Sequence, residues 1–339
     1  MEMHDMAAGA PLLVLGSVNQ DETAYVRRLP APGETVLGEG HRATLGGKGA
    51  NQAIAAAKLS ATVRFVGTVG DDVAGRRAVD SFHEFDVDVR ALATRADVQT
   101  GRAFITVDAV GENSIVVIPG ANAIIARDDV TDQVRSALGD GSARAMIGLT
   151  QGELPAAAIE EFSRVCETSG LRFVLNLAPL IHVSRDALAA ADPLILNRTE
   201  ASELADRLGT DDLSRIENIH GAGQIAALLG TAVARSVVIT LGAEGAVASD
   251  GETHWYQPSP HTDSVIDTTG AGDAFVGALC AELAGGATLT AAVTHGIAAG
   301  TFAVSGKGTT DSYATREQLR PILDRMPDRI LLQPSSAVV

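Results

Sequence analysis

Cysteine is scarce in this sequence. The 339 residues include only Cys166 and Cys280, which lie far apart and form no C-x-x-C spacing. The scarcity argues against a disulfide framework and a cysteine-based zinc site, and it indicates a reducing compartment. Aromatic residues are also few, at 4%, so the core must consist mainly of aliphatic side chains and alanine.

Basic residues are outnumbered by acidic ones. Lys plus Arg is 26 and Asp plus Glu is 42, which gives a formal net charge of −16. This charge argues against nucleic-acid binding and membrane-surface binding, because both need a positive field. A small anionic substrate remains possible, since a local pocket can oppose the net charge.

Targeting and membrane segments are not evident either. The first ten residues contain no basic region followed by an apolar stretch, so they do not resemble a signal peptide. Residues 283–306 lack Asp, Glu, Lys and Arg, but Gly285-Gly286 interrupts them. They predict two buried helices rather than a membrane span. We expect a soluble, cytoplasmic protein with flexible tails at 1–10 and 333–339.

Short apolar runs alternate with helical patterns along the rest of the chain. Strands are predicted at 12–15, 63–66, 145–149, 173–177, 194–196 and 237–240, and helices at 49–59, 73–82, 156–166, 199–208 and 216–229. This alternation predicts an α/β fold with a mostly parallel sheet flanked by helices. We expect one domain over residues 11–330, with ligands bound beyond the carboxyl ends of its strands.

Two stretches break the alternation. Residues 35–45 and 102–118 are rich in Thr, Val and Ile, carry turn residues and show no helical period. They predict antiparallel strands that form a small, separate sheet, with lid strands at about 22–46 and 100–119. Such a sheet beside a ligand site could serve as a lid.

The segment Asp267-Thr268-Thr269-Gly270-Ala271-Gly272-Asp273 precedes a helical pattern. Small residues at a helix start leave backbone N–H groups exposed, and the helix dipole adds positive charge there, which suits a phosphate. Asp273 beside this anion hole could be a general base for an attacking hydroxyl. The alternative is an Asp that caps a helix after a glycine turn.

The segment Gly46-Gly47-Lys48-Gly49-Ala50-Asn51 resembles a phosphate-binding P-loop but does not match it. Lys48 is followed by Gly49 rather than Ser or Thr, and Arg42 stands at the position of the first glycine. Backbone approach at the glycines, with donors from Lys48 and Asn51, suits a polyhydroxylated ligand or its phosphate. A tight turn with a surface lysine is the alternative.

Three further polar segments follow predicted strands: Asn19-Gln20-Asp21, Asn197-Arg198-Thr199-Glu200 and Thr240-Leu241-Gly242-Ala243-Glu244-Gly245. The first could bind hydroxyl groups, the second hydrated Mg²⁺, and the third a nucleotide phosphate. Ordinary turns and helix-start residues explain each of them as well. Their shared position at strand ends favours one composite site.

The motifs GGKGAN at 46–51 and DTTGAGDAF at 267–275 together resemble those of the ribokinase-like, or PfkB-type, carbohydrate kinases. The likeness runs from about residue 12 to about residue 323, through GSVNQDE, LPAPGETV, VGDD, PGAN, LNLAP, NRTEA, ITLGAEGA and AVSGKGTTDS. It implies a Rossmann-like domain with a β-sheet lid that also forms a homodimer interface. It further implies transfer of the ATP γ-phosphoryl group to the 5-hydroxyl of D-ribose, giving D-ribose 5-phosphate.

The resemblance also assigns residues by motif. Asp273 would be the catalytic base, and the backbone of Gly270, Ala271 and Gly272 the anion hole. The sugar would be held by Asn19, Asp21, Gly47, Lys48, Gly49, Ala50, Asn51, Glu153 and Asp273. ATP would be bound by Asn197, Thr240, Leu241, Gly242, Gly245 and Gly272, with Mg²⁺ at Asn197 and Glu200. An activating K⁺ would be held by Asp267, Thr269, Ala303, Gly306, Gly308 and Ser312.

The sequence departs from the family pattern at three places. Gln20 stands where the family usually has a small residue, His295-Gly296-Ile297 replaces a region that often carries an adenine-side Asn, and Leu177 replaces a frequent Pro. The first two leave the sugar and the adenine contacts open. A kinase of the same fold acting on another pentose, a hexose or a nucleoside is therefore the alternative. A catalytically silent sensor is disfavoured because Asp273, Gly272 and Lys48 are intact.

Overall fold

The structure is a computed structural model that describes residues 11–139, 147–209, 216–262 and 264–332. In these ranges the strands are β1 (Leu12–Leu15), β2 (Asn19–Val26), β3 (Gly38–Gly46), β4 (Val63–Gly70), β5 (Asp88–Arg95), β6 (Gly101–Val107), β7 (Asn113–Ile118), β8 (Ile147–Gln151), β9 (Arg172–Asn176), β10 (Leu194–Asn197), β11 (Val237–Thr240), β12 (Gly245–Ser249), β13 (His254–Pro258) and β14 (Ile330–Leu332). The helices are α1 (Lys48–Lys58), α2 (Val73–Glu84), α3 (Arg127–Leu138), α4 (Ala156–Thr168), α5 (Arg185–Ala190), α6 (Arg198–Arg207), α7 (Ile219–Ala232), α8 (Ala271–Ala284), α9 (Leu289–Ala303) and α10 (Arg316–Leu323).

Ten strands form the central sheet, in the order β14-β13-β12-β11-β10-β9-β8-β1-β4-β5. All pairings from β5 to β11 are parallel, and those from β11 to β14 are antiparallel. The predicted α/β fold with a mostly parallel sheet is confirmed. Sequence reasoning missed β5 and β12 to β14, which lie at or near the two edges of the sheet.

Helices cover both faces of this sheet, and β1 shows how the sequence divides between them. Leu12 and Val14 belong to the hydrophobic cluster that includes side chains of α1, α8 and α9, whereas Leu13 and Leu15 belong to the cluster that includes side chains of α4, α6 and α7. All four side chains are fully buried, as expected for a parallel strand covered on both sides. At Gly277 of α8 an added Cβ would lie 2.7 Å from the backbone oxygen of Gln52, so α1 and α8 pack with their backbones close together.

The second sheet has the order β3-β2-β6-β7. Its outer pairs are antiparallel, but its central pair β2–β6 is parallel, with Asn19 opposite Gly101. The predicted small, separate sheet of antiparallel strands is confirmed at its two outer pairs. Its central pair is parallel because β2 and β6 each follow a strand of the central sheet rather than each other. The segment Asn19-Gln20-Asp21 is also not a turn, because it begins β2.

The apolar C-terminal region forms two helices, as predicted. Helix α8 ends at Ala284, α9 begins at Leu289, and Gly285-Gly286 lies between them. Among the described residues, no helix combines the length and the apolar character needed to cross a bilayer. The predicted tails at 1–10 and 333–339, and residues 145–146 of a predicted strand, lie outside the described residues.

Candidate active site

Glu153 follows β8 closely in the chain, and its side chain contacts the start of α1. Its Oε2 accepts hydrogen bonds from the Ser17 hydroxyl at 2.6 Å and from the Lys48 backbone N–H at 2.9 Å. The Ser17 Oγ in turn accepts from the Gly49 N–H at 3.2 Å. A side chain on Gly49 would collide with the backbone of Gly16, so glycine is required for this close approach. The predicted sugar-site residues Glu153 and Lys48 thus lie side by side.

Asp21 lies on β2, opposite the start of α1. Its carboxyl group packs where a Cβ of Gly46 would otherwise be. Burial, together with the nearby carboxylates of Glu153 and Asp273, raises the pKa of Asp21 from 3.8 to about 7, although Lys48 opposes this rise. Keeping an ionisable aspartate in this environment costs folding free energy. The position of Asp21 therefore indicates a role in binding rather than in stability.

Asn19 is oriented by a residue that sequence reasoning did not assign. The Asn122 side chain donates to Asn19 Oδ1 at 2.9 Å and also pairs with both backbone groups of Val18, at 2.9 and 3.1 Å. Asn19 and Asp21 point to one face of β2. Gln20 points to the other, where it hydrogen-bonds Glu22. By the alternation of side chains along a strand, the unusual Gln20 is therefore directed away from Asp21.

Asp273 lies in the first turn of α8 and is largely buried. Its Oδ2 accepts from Asn51 Nδ2 at 3.0 Å and its Oδ1 from Gln52 Nε2 at 2.8 Å. Asp273 is also the largest cause of a raised pKa at Lys48, where burial opposes the negative charge of Asp273 and its acidic neighbours. The predicted base and the predicted sugar-binding residues form one cluster.

The start of α8 has the features of an anion site. Gly270 precedes the helix with φ +76°, in the left-handed region that favours glycine, and no side chain caps the helix. The Ala271 N–H bonds the Thr268 carbonyl at 3.3 Å. The N–H groups of Gly272 and Asp273 belong to the first turn, where helices offer no internal acceptor. Gly272 and Asp273 therefore present backbone N–H groups at the positive end of the helix dipole, whereas the N–H of Ala271 is already bonded to Thr268.

A cleft of about 960 Å³ opens beside the start of α8. All six residues predicted to bind nucleotide line it: Asn197, Thr240, Leu241, Gly242, Gly245 and Gly272. Its wall also includes Pro260, Val265, Phe275, Ile297 and Val304, which sequence reasoning missed because isolated apolar residues resemble core. His295 does not line the cleft; its Nδ1 pairs with the Ala291 carbonyl at 2.9 Å.

Asn197 and Glu200 form a reciprocal capping box at the start of α6. The Glu200 N–H donates to Asn197 Oδ1 at 2.9 Å, and the Asn197 N–H donates to Glu200 Oε2 at 2.8 Å. The helix-start alternative for this motif is therefore correct. Burial raises the pKa of Glu200, although Lys48 and the bond from Asn197 oppose the rise. One carboxylate beside the cleft still suits hydrated Mg²⁺, which uses few protein ligands.

The residues predicted to hold K⁺ come together around the loop after α9. Asp267 accepts backbone hydrogen bonds from Thr269 and Gly308, both at 2.9 Å. Burial alone would raise the pKa of Asp267, but these hydrogen bonds outweigh it and lower the pKa. The Ser312 hydroxyl donates to the Gly308 carbonyl at 2.8 Å, and the Ala303 carbonyl accepts from Gly306 at 3.1 Å. Such an all-oxygen set suits a hard cation.

Comparison with known proteins assigns the family. The model of the pfkB family of carbohydrate kinases matches residues 10–316. The chain belongs to this family. This pfkB-family chain is 32% identical over 314 residues to a ribokinase from Haemophilus influenzae, with 92% of this chain and 98% of that protein covered. A ribokinase from Bacillus subtilis is 32% identical over 312 residues, with 92% and 99% covered.

A solved structure of Arabidopsis thaliana ribokinase, complexed with ribose and ATP, resembles this pfkB-family chain with a TM-score of 0.81. The two are 28% identical, and the match covers 93% of this chain and 99% of that one. The family resemblance drawn from GGKGAN and DTTGAGDAF is confirmed. Membership of this family makes the chain a phosphotransferase that acts on an alcohol group.

Proposed function

We propose that the protein transfers the γ-phosphoryl group of ATP to the 5-hydroxyl of D-ribose. The observation that carries the proposal is the position of Asp273. It lies at the start of α8, between the polar cluster of Asp21, Lys48 and Asn51 and the cleft that Gly272 and Gly242 line. The ribokinases of similar sequence, and the similar structure that contains ribose and ATP, support ribose as the substrate.

The reaction follows from these positions. Asn19, Asp21 and Glu153 accept hydrogen bonds from sugar hydroxyls, while Lys48 and Asn51 donate. Asp273 accepts the proton of the attacking hydroxyl as the new O–P bond forms. The N–H groups at the start of α8 and the Lys48 ammonium stabilise the negative charge on the transferred phosphoryl group.

Two cations belong to the proposal. Glu200 and Asn197 would hold hydrated Mg²⁺, which neutralises phosphate charge when it is bound. Asp267, Thr269, Ala303, Gly306, Gly308 and Ser312 would hold K⁺, which adds positive potential beside the anion hole. The lowered pKa of Asp267 keeps this carboxylate charged for such a cation.

We also propose a homodimer formed through the second sheet, which acts as a lid over the sugar. Strand β7 lies at the edge of that sheet and is exposed along its whole length, including Ile115, Val116, Val117 and Ile118. An unpaired apolar edge of this kind favours association with a second chain.

We also propose a cytoplasmic location, because the two cysteines, Cys166 and Cys280, are buried and free.

A substrate panel tests the proposal. ADP release is measured with ATP, Mg²⁺ and K⁺ against ribose, other pentoses, fructose, other hexoses and adenosine. We expect ribose to give the highest kcat/KM. A higher value for fructose or adenosine would replace ribose with that substrate, and binding without ADP release would indicate a sensor.

A further inference from the structure

Three buried amide side chains lie behind Asp273. Gln52 Nε2 donates to Asp273 Oδ1 at 2.8 Å and to Asn176 Oδ1 at 2.9 Å, and Gln52 Oε1 accepts from Gln151 Nε2 at 2.9 Å. Gln52 and Gln151 are fully buried, and Asn176 is 7% exposed. Buried polar groups of this kind are costly unless they are satisfied.

The hydrogen bonds fix the direction in which Gln52 points. Asn176 Nδ2 donates to the backbone carbonyl of Ile195 at 3.2 Å, so its Oδ1 must face Gln52. If the Gln52 amide were turned by 180°, its Oε1 would face two other acceptors, Asn176 Oδ1 and Asp273 Oδ1. Gln151 Nε2 donates to Gln52 Oε1 in this orientation, and the Oε1 of Gln151 itself has no hydrogen-bond partner among the described residues. The Ile195 carbonyl on β10 thus orients the Asn176 amide, and Asn176 in turn orients the Gln52 amide so that its Nε2 donor faces Asp273.

We propose that Gln52 is a positioning residue for the base, and that Asn176 and Gln151 hold it in the donating orientation so that Asp273 stays ionised and oriented. This inference rests on the proposed function, in which Asp273 accepts the hydroxyl proton. Hydrogen bonds to the charged form of a carboxyl group favour that form. Asn51 donates to the other carboxylate oxygen at 3.0 Å, so both oxygens of Asp273 face donors.

Other charged groups face Asp273 and must stay constant in a test. Lys48 on α1, Asp21 on β2 and Tyr313 after α9 are each electrostatically coupled to it, and Glu153 lies beside the first two. None of these residues hydrogen-bonds the Gln52 side chain in the described part of the chain. Replacing Gln52 by an apolar residue therefore removes one donor and leaves the charges around Asp273 in place.

The test compares Gln52→Leu with Gln257→Leu. Gln257 is also buried, but its amide pairs with Pro258, Pro327 and Thr294 instead of the cluster around Asp273. We expect the acid limb of kcat against pH to move up by about one pH unit in Gln52→Leu. kcat at pH 7 should fall ~10-fold, while KM for ATP changes less than ~2-fold. Asn176→Leu, which lets Gln52 turn, should shift the limb in the same direction by less.

The inference is overturned if Gln52→Leu and wild type have the same pH profile, or if Gln257→Leu shifts it equally. If Gln52→Leu does not fold, Asn176→Leu decides in the same way. A second readout does not depend on the sugar: isotope-edited infrared spectra follow the Asp273 carboxyl band, identified by its loss in Asp273→Asn. Its titration should move to higher pH in Gln52→Leu. An unshifted band would reject the role of Gln52 even if ribose is not the substrate.

Discussion

Replacing Asp21 by Asn should stabilise the unliganded protein at neutral pH and leave its stability in acid unchanged. Burial and acidic neighbours raise the pKa of Asp21 from 3.8 to about 7. The folded state therefore binds this proton more tightly than the unfolded state does. The stability that the protonated group contributes is complete below pH ~4 and is lost as pH rises through about 7.

The size of the effect follows from the two pKa values. At 1.36 kcal/mol per pH unit, the wild type loses up to about 4 kcal/mol between pH 4 and pH 7. Asn has no proton to lose, so the variant should gain ~2–4 kcal/mol over wild type at pH 7 to 8. An unfolding entropy of about 0.7 kcal/mol/K for a chain of this length converts this to a Tm increase of ~3–6 °C.

Thermal unfolding of both proteins from pH 5 to pH 8, without ligand, checks this reasoning. The Tm difference should widen as pH rises and level off above pH 7. Asp132→Asn is the matched control, because the Asp132 side chain is 76% exposed, and it should show no widening. A Tm difference for Asp21→Asn that is constant with pH, or that has the opposite sign, would refute the account of Asp21.

Two further changes test other parts of the structure. Gly277→Ala puts a Cβ 2.6 Å from the Ala55 Cβ at the α1–α8 contact, so it should lower the free energy of unfolding by about 1–3 kcal/mol and reduce both Tm and turnover. The control Gly285→Ala, whose nearest neighbour would be 3.3 Å away, should change neither. Equal effects of the two substitutions would contradict the close contact between the helices. K⁺ should raise Tm and ADP release more than Na⁺ does, and Asp267→Asn should abolish the difference; identical melting curves in the two salts would count against the cation site.

Much of the fold could be predicted because its strands are strongly apolar. Residues 12–15 and 237–240 form β1 and β11 with the predicted bounds, and 63–66 lies within β4. Strands β12 and β13 were missed because Gly245, Ser249, His254 and Pro258 stand at their ends and leave only three residues between them in each strand. The parallel pairing of β2 with β6 could not be read from local sequence, since it depends on where distant strands enter the second sheet.

The site could be predicted where a motif carries its chemistry in adjacent residues. GGKGAN and the segment ending at Asp273 are of this kind, and the structure brings their residues together. Ser17, Asn122 and Asn176 lie in the segments GSVNQDE, PGAN and LNLAP, which resemble the family, but no role could be assigned to them because an isolated polar residue is common anywhere. Their roles depend on contacts across more than a hundred residues of sequence, as between Gln52 and Asn176.

The central claim is that Asp273 accepts the proton of a sugar hydroxyl during phosphoryl transfer from ATP. The most direct measurement is ribose-dependent ADP release by wild type and Asp273→Asn, with binding of a non-hydrolysable ATP analogue measured on the same samples. We predict that kcat falls by at least ~10² while analogue binding is preserved. Turnover of the variant within tenfold of wild type would contradict the claim.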